Sequence, residues 1–307
     1  MIIGLTGHTG FLGKILFDIL SKEHFIYTIG RRKSFLIYDF KSQISSLPAT
    51  DIIVHCAGKA HVLTDKYNHN DFFTVNVLFT ENLLNSLTFS KKIPSFFVYI
   101  SSVSVYGKNY GISINENYSL DAKDPYGLSK ILAEDLVKNW CKKNNVVCTI
   151  LRLPLVVGQN PSGNLGDMIK AIKNGYYFNI AGGKAKKSMV LAEDVAKVII
   201  KVAKIGGTFN LTDGYHPSFF EISKCISNQL NKSQPVNLHF RLVKLVASLG
   251  DLLGSRVPLN TTKLNKIISN LTFDDSKAKA SFDWNPTPVL EGFKLVTKNF
   301  DNDDKNT

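Results

Sequence analysis

Tyr126 and Lys130 lie in the stretch DPYGLSKILAED (124–135), four residues apart. On a helix that spacing puts them on one face. A phenol can give or take a proton, but its ordinary pKa of about 10 is too high for exchange at neutral pH. A neighbouring ammonium favours the phenolate and brings it toward the operating range. The local sequence favours a helix: Asp124 can cap the first turn, and Pro125 suits the first helical position. In a lysine-rich chain the same pair also fits a solvated surface contact. The remaining residues must supply something for the phenol to act on.

A second constellation does so. TGHTGFLG places Gly7, Gly10 and Gly13 at GxxGxxG spacing, after an apolar run and before a helical one. Gly7 permits a tight turn, Gly10 lets backbone approach a pyrophosphate, and Gly13 lets helix and strand pack closely. Thr9, Phe11 and Leu12 share this turn, whose helix start offers N–H donors and a positive dipole end. The next apolar run ends in TIGRRKS. A carboxylate there would accept from an adenosine 2′-hydroxyl; Arg31 and Arg32 instead offer fork-shaped donors to a 2′-phosphate. This favours NADP(H), with NAD(H) as the alternative. Asp39, followed by Phe40, stands after the third apolar run and could accept from an adenine amino group.

The elements that must position these groups alternate. Strand-like runs are IIGLT, FIYTI (25–29), FLIY (35–38), DIIVHC (51–56), FFVYIS (96–101) and VVCTILR (146–152). Helical patterns lie between several of them, notably over 71–91 and 125–144. Near-continuous apolar strands suit a parallel sheet covered on both faces. The expected fold is therefore α/β, a Rossmann-type doubly wound parallel sheet with a smaller C-terminal substrate-binding lobe. Residues 1–160 are read as the dinucleotide-binding domain, its sheet completed by later segments. Residues 161–300 are read as the lobe, interleaved with the sheet, and 301–307 as a disordered tail.

In this order the motifs TGHTGFLG, DIIVHCAG, VNV (75–77), YISSVSVYG (99–107), DPYGLSK, LRLPLVVG (151–158), LAEDVA (191–196) and FDWNPTPVLEGF (282–293) resemble the extended short-chain dehydrogenase/reductase family of nucleotide-sugar epimerases, dehydratases and reductases. The resemblance implies that Tyr126 is the general acid/base. Lys130 would hold the nicotinamide ribose and lower the tyrosine pKa, and Ser102 would bond the reacting sugar oxygen. Ser101 competes with Ser102, because adjacent strand residues face opposite sides. The resemblance also implies cofactor contacts from Ala57, Gly58 and Pro154, with Asn76 bracing the catalytic helix. Phe79 departs from the small residues usual after that asparagine, and Lys59 is placed to touch a phosphate. Ser104, Asn164 and Lys187 are the implied substrate contacts, Lys187 where many relatives have an arginine.

No acidic pair follows Ser102, which argues against dehydration. Two readings remain. The loop 153–172, the GKAHV stretch (58–62) and the segment 246–267 resemble bacterial reductases of UDP-4-keto-6-deoxy-N-acetylhexosamines in surface-polysaccharide synthesis. The GRR at the ribose position agrees with a hydride-consuming reductase. The alternative is a UDP-sugar 4-epimerase holding NAD tightly. A non-catalytic regulator is disfavoured because Ser102, Tyr126 and Lys130 are all present.

Composition sets the outer bounds. The 307 residues are 44% hydrophobic and 20% charged, as in globular proteins. No apolar run reaches the roughly 18 residues of a membrane span, and no export signal is read, so a cytoplasmic location is expected. The net charge of +12 is scattered without a continuous basic stripe, which disfavours nucleic acid as a partner. The four cysteines have no metal spacing, so no metal is expected and reduced, mostly buried thiols are. A nucleotide-diphosphate sugar is the expected substrate. A homodimer through 71–91 and 125–144 is the expected assembly.

Overall fold

The computed structural model describes residues 1–30, 34, 36–37, 47–60, 70–161, 163–253 and 260–295. Seven parallel strands form the central sheet. They are β1 (Ile2–Thr6), β2 (Phe25–Gly30), β3 (Leu36–Ile37), β4 (Ile52–His55), β5 (Phe96–Ser102), β7 (Val147–Leu153) and β11 (Gly207–Asn210). The small strand β6 (Gly111–Ile114) lies outside it, as do β8 (Leu155–Val157), β9 (Phe178–Ile180) and β10 (Met189–Leu191). The order across the sheet is β11-β7-β5-β4-β1-β2-β3. The chain moves outward from β1 through β2 to β3, then returns to place β4 on the other side of β1. The two directions part between β1 and β4, the crevice where open α/β sheets bind ligands. Every predicted strand through residue 152 is present.

Helices cover both faces. On one face α1 (Phe11–Leu20) buries Leu12, Leu16 and Leu20 at a spacing of four, beside α6 (Ala192–Ile205). On the other, α3 (Phe79–Thr88) and α4 (Pro125–Lys143) pack Leu83, Leu87, Ala133 and Val137 against Ile53, Phe97 and Ile150 of the sheet. Both faces are apolar, which is why the strands read as continuous runs.

The expected single helix over 71–91 is broken into three parts. A short α2 (Asn70–Phe72) leads into a six-residue π-helical segment, Phe73–Leu78, before α3 begins. The wide turn carries Asn76, and π turns of this kind concentrate at functional sites.

After β8 the chain builds the smaller lobe from α5 (Asn164–Lys173), α7 (Phe219–Gln229), α8 (Phe240–Leu253) and α9 (Thr261–Ile268), with the strand β12 (Val236–Leu238) beside β9. Leu165, Ile169, Ile222, Val289 and Phe293 form its core. The chain then returns: β13 (Leu271–Phe273) pairs with β6, and the end of α10 (Ser276–Phe282) with the turn after it puts Phe282 and Trp284 into the sheet's own core. No helix of the described residues is long and apolar enough to cross a membrane.

Candidate active site

Three segments meet at the carboxyl ends of β1, β4 and β5. The first is the glycine turn. Gly7 has φ +74°, and a Cβ there would lie 2.6 Å from the Ala57 nitrogen. A Cβ on Gly13 would lie 2.0 Å from the Gly7 carbonyl oxygen. Both positions need glycine, one for backbone sign and one for approach. The Gly10 N–H donates to the Gly7 carbonyl at 2.9 Å, and no side chain caps the start of α1 at Phe11 and Leu12. Thr9 is exposed at the same turn. A backbone cradle closed to side chains, ending at an uncapped helix start, fits a dinucleotide pyrophosphate. Arg31, Arg32, Asp39 and Phe40 lie outside the described residues.

The second segment, 55–59, forms the crevice wall. The Ala57 N–H donates to Thr6 Oγ1 at 3.0 Å. A Cβ on Gly58 would meet Lys130 Nζ at 3.2 Å and Asn76 Oδ1 at 3.3 Å, so this glycine lies directly over two of the predicted site residues. Asn76 Oδ1 accepts from the Lys59 N–H at 2.7 Å, and its Nδ2 donates to the Lys59 carbonyl at 3.1 Å and to Ser129 Oγ at 2.8 Å. Ser129 in turn donates to the Tyr126 carbonyl at 2.7 Å. One buried amide thus ties the loop to the first turn of α4. The Lys59 ammonium is paired with Asp71 at 2.7 Å.

His55 lies beneath this wall and was not singled out in the sequence. Its Nδ1 is 2.7 Å from Thr6 Oγ1 and its Nε2 2.8 Å from Thr80 Oγ1. Thr6 already accepts from Ala57, and Thr80 donates to the Asn76 carbonyl at 2.7 Å. Those two bonds assign the protons: Thr6 donates to Nδ1, and a neutral imidazole donates from Nε2 to Thr80. Burial, with a smaller contribution from Lys130, pushes the His55 pKa down to about 3. Phe79, the expected misfit, is buried with its ring edge-on to His55 at 5.5 Å. The histidine gives the larger side chain a packing partner.

The third segment holds the groups that the sequence marks as reactive. Asp124 Oδ1 accepts from the Gly127 N–H at 2.9 Å and starts α4, as expected. The Ser102 hydroxyl lies close enough to the Tyr126 phenol to draw its pKa down. Ser101 is taken up by Glu134, donating to its Oε1 at 2.6 Å, which leaves Ser102, at the carboxyl end of β5, as the serine beside the phenol. Lys130 is buried, with Nζ donating to the Ile100 carbonyl at 2.9 Å and to Tyr99 OH at 3.2 Å. Burial pushes its pKa down to about 8. Burial also holds the Tyr126 phenol above its ordinary value, and the neighbouring Ser102 hydroxyl draws it back. The sequence pointed to Lys130 as the group that lowers the phenol. In the structure its described bonds go to β5, and Ser102 exerts the direct pull.

Behind Lys130, one further turn along α4, a buried charge network begins. Glu134 accepts from Arg152 Nε at 3.0 Å and from its terminal nitrogen at 2.7 Å. Burial alone would raise the Glu134 carboxyl, but Arg152, Ser101 and Lys138 together hold it below its usual range. Arg152 donates onward to Tyr106 OH at 3.1 Å, and Tyr106 to Asn210 Oδ1 at 2.8 Å. Asn210 Nδ2 donates to the Ile114 and Asp274 carbonyls. The sequence held one clue to this network: Tyr126, Lys130 and Glu134 are spaced by four, so a carboxylate falls on the buried stripe.

The remaining predicted contacts are spread more widely. The Ser104 Oγ is buried with no hydrogen-bond partner among the described residues, an orphan that fits a polar ligand. Pro154 is half-buried between β7 and β8. Asn164 opens α5 and lines a mostly apolar cavity of about 200 Å³ with Phe219 and Ile267. Lys187 Nζ donates to the Lys266 and Ser269 carbonyls at 3.1 and 2.8 Å, at the end of α9. Burial pushes its pKa down to about 8. Two of its three protons therefore serve a helix end.

The NAD dependent epimerase/dehydratase family matches over residues 3–211. The chain is 25% identical to N-acetyl-α-D-glucosaminyl-diphospho-ditrans,octacis-undecaprenol 4-epimerase of Escherichia coli O157:H7, over 90% of this chain and 88% of that protein. It is 31% identical to GDP-6-deoxy-D-mannose reductase of Pseudomonas aeruginosa, over 44% of this chain and 46% of the reductase. The UDP-glucose 4-epimerase structure of Thermotoga maritima, solved with UDP-glucose, superposes with a TM-score of 0.75 and 18% identity. That superposition covers 98% of this chain and 99% of the other.

Proposed function

The chain belongs to the NAD dependent epimerase/dehydratase family, and on that premise we propose that it is an oxidoreductase acting at carbon 4 of a nucleotide-diphosphate sugar. The observation that carries the proposal is the Ser102 hydroxyl acting on the Tyr126 phenol, with the Gly58, Asn76 and Lys130 wall beside them. A bound nicotinamide dinucleotide supplies the hydride donor or acceptor. The glycine turn would hold its diphosphate, and Lys130, Gly58 and Asn76 would bind beside its ribose. Tyr126 holds or gives the proton of the sugar's carbon-4 oxygen, and Ser102 orients that oxygen. The orphaned Ser104 hydroxyl is available to a sugar substituent. Asn164 and the start of α5 face the rest of the substrate.

The reading we favour is NADPH-dependent reduction of a UDP-4-keto-6-deoxy-N-acetylhexosamine for surface-polysaccharide synthesis. Its support is Arg31 and Arg32 at the ribose position in the sequence. The second reading, a 4-epimerase with tightly held NAD, is favoured by the E. coli relative, which matches along nearly the whole chain. We also propose a cytoplasmic homodimer. Phe73, Leu78, Leu128 and Leu132 expose apolar surface on the two helical segments beside the site.

One assay separates the two reactions. Purified protein is incubated with UDP-4-keto sugars and NADPH, and in parallel with UDP-N-acetylglucosamine without added cofactor. Oxidation of NADPH with loss of the ketone supports the reductase. Interconversion of carbon-4 epimers without NADPH consumption overturns it in favour of the epimerase.

A further inference from the structure

Helix α8 is apolar on two faces. Val243 and Ala247 are buried against Leu264 and Ile180, which attaches the helix to the lobe. Leu242, Leu245, Val246 and Leu249, at i, i+3, i+4 and i+7, form a second stripe, each more than half exposed. Just before the helix, exposed Val236 pairs with exposed Phe178 across β12 and β9. A continuous apolar stripe on a surface helix marks an interaction site.

Charge selects what covers it. Among the described residues of 230–270, Lys232, Arg241, Lys244, Lys263 and Lys266 are opposed by one acid, Asp251. That acid is engaged, accepting from the Thr261 N–H at 3.1 Å and hydroxyl at 2.7 Å. A second copy docked face to face would set this positive surface against itself. An anionic lipid surface matches both the leucines and the lysines, as in helices that lie in the membrane interface.

We infer that α8 seats the protein peripherally on an anionic membrane, its Leu242–Leu249 stripe entering the acyl boundary and Arg241 and Lys244 meeting the headgroups. Through Ile180, which is in the core beneath α8 and also lines the cavity with Asn164, the seat brings the substrate lobe to the lipid surface. The inference does not rest on the reaction assigned above.

The test is co-sedimentation of the full chain with phosphatidylcholine vesicles, with and without 30% phosphatidylglycerol (about 30 mol% suffices to give the surface a negative potential). Wild type binds the anionic vesicles and is released by high salt. The Leu245→Asp/Leu249→Asp variant stays folded by circular dichroism, keeps its cofactor affinity and no longer sediments. Arg241→Glu/Lys244→Glu lowers partition onto anionic vesicles by roughly tenfold or more. Three results would overturn the proposal: no wild-type binding to anionic vesicles, equal binding by wild type and the double-aspartate variant, or a smaller oligomer in light scattering when the leucines are replaced. The vesicle assay contains no substrate, so failure of the catalytic reading leaves it unaffected.

Discussion

The side-chain amide of Asn76 donates to Ser129 Oγ at 2.8 Å, while its oxygen accepts from the Lys59 N–H at 2.7 Å. The π turn therefore presents one amide to both sides of the crevice. Asn76→Asp keeps the shape and removes the donors, setting a carboxylate oxygen against the Lys59 carbonyl. It should cost about 1–3 kcal/mol of stability, and it should weaken cofactor binding more than Asn76→Ala does. Equilibrium denaturation and dinucleotide titration measure both, and unchanged cofactor affinity in the aspartate variant would contradict the bracing role.

Tyr126→Phe removes the proton but leaves the ring that packs beside Phe72 at 5.9 Å. Turnover should fall about 10²–10⁴-fold with cofactor affinity nearly unchanged. Ser102→Ala should cost about 10²-fold, and its pH profile should shift to higher pH, because the hydroxyl that draws the phenol down is gone. Steady-state kinetics across pH test both variants. Near-normal turnover in Tyr126→Phe would remove the phenol from the reaction.

Lys130 carries its charge at a cost to the fold. Its pKa is lowered from 10.5 to about 8. Between those values the unfolded chain binds more protons, so this group's contribution to stability rises with pH across the window. Lys130→Met should abolish activity yet relieve up to about 3 kcal/mol at pH 7, before the lost bonds to Ile100 and Tyr99 are set against it. The difference from wild type should move against the variant as pH rises toward 10. Denaturant midpoints at pH 7 and pH 10 decide; a pH-independent difference would show that the buried ammonium is not under strain.

His55 works in the opposite range. Its folded pKa of about 3 lies below the unfolded 6.5, so the unfolded chain takes up a proton that the fold rejects. Stability should fall as pH drops below 6.5, by up to about 1.4 kcal/mol per pH unit from this one group. His55→Asn should lower stability at pH 7 and flatten the slope between pH 6.5 and 5. Parallel slopes in the two proteins would place the acid sensitivity elsewhere.

Much of the site was legible because its signals are local. Gly7 and Gly13 sit within one turn, Asp124 caps the helix that carries Tyr126 and Lys130, and strand alternation separates Ser102 from Ser101. The parts that were not legible depend on partners far away in the chain. Tyr106 finds Asn210 across 104 residues, and His55 is held between Thr6 and Thr80. A buried histidine reads in sequence as one more residue of an apolar strand. The π turn was hidden because one wide turn barely disturbs a helical pattern. Lys187 shows the same dependence on distant partners: its two bonds to the carbonyls of Lys266 and Ser269 at the end of α9 span separations of 79 and 82 residues along the chain.

The chain of bonds from Glu134 through Arg152 and Tyr106 to Asn210 bears on how such an enzyme can be recombined. Asn210 belongs to the last strand of the sheet, yet its amide holds Ile114 and Asp274, from two segments outside the sheet. A chimaera that exchanges the lobe at residue 160 would carry Asn210 away with it. Unless the donor supplies an amide at that position, Tyr106 loses its acceptor and the guanidinium behind it is left less well paired. Working crossovers should therefore keep residues 207–210 with the host, and graft the lobe as two inserts on either side of that strand.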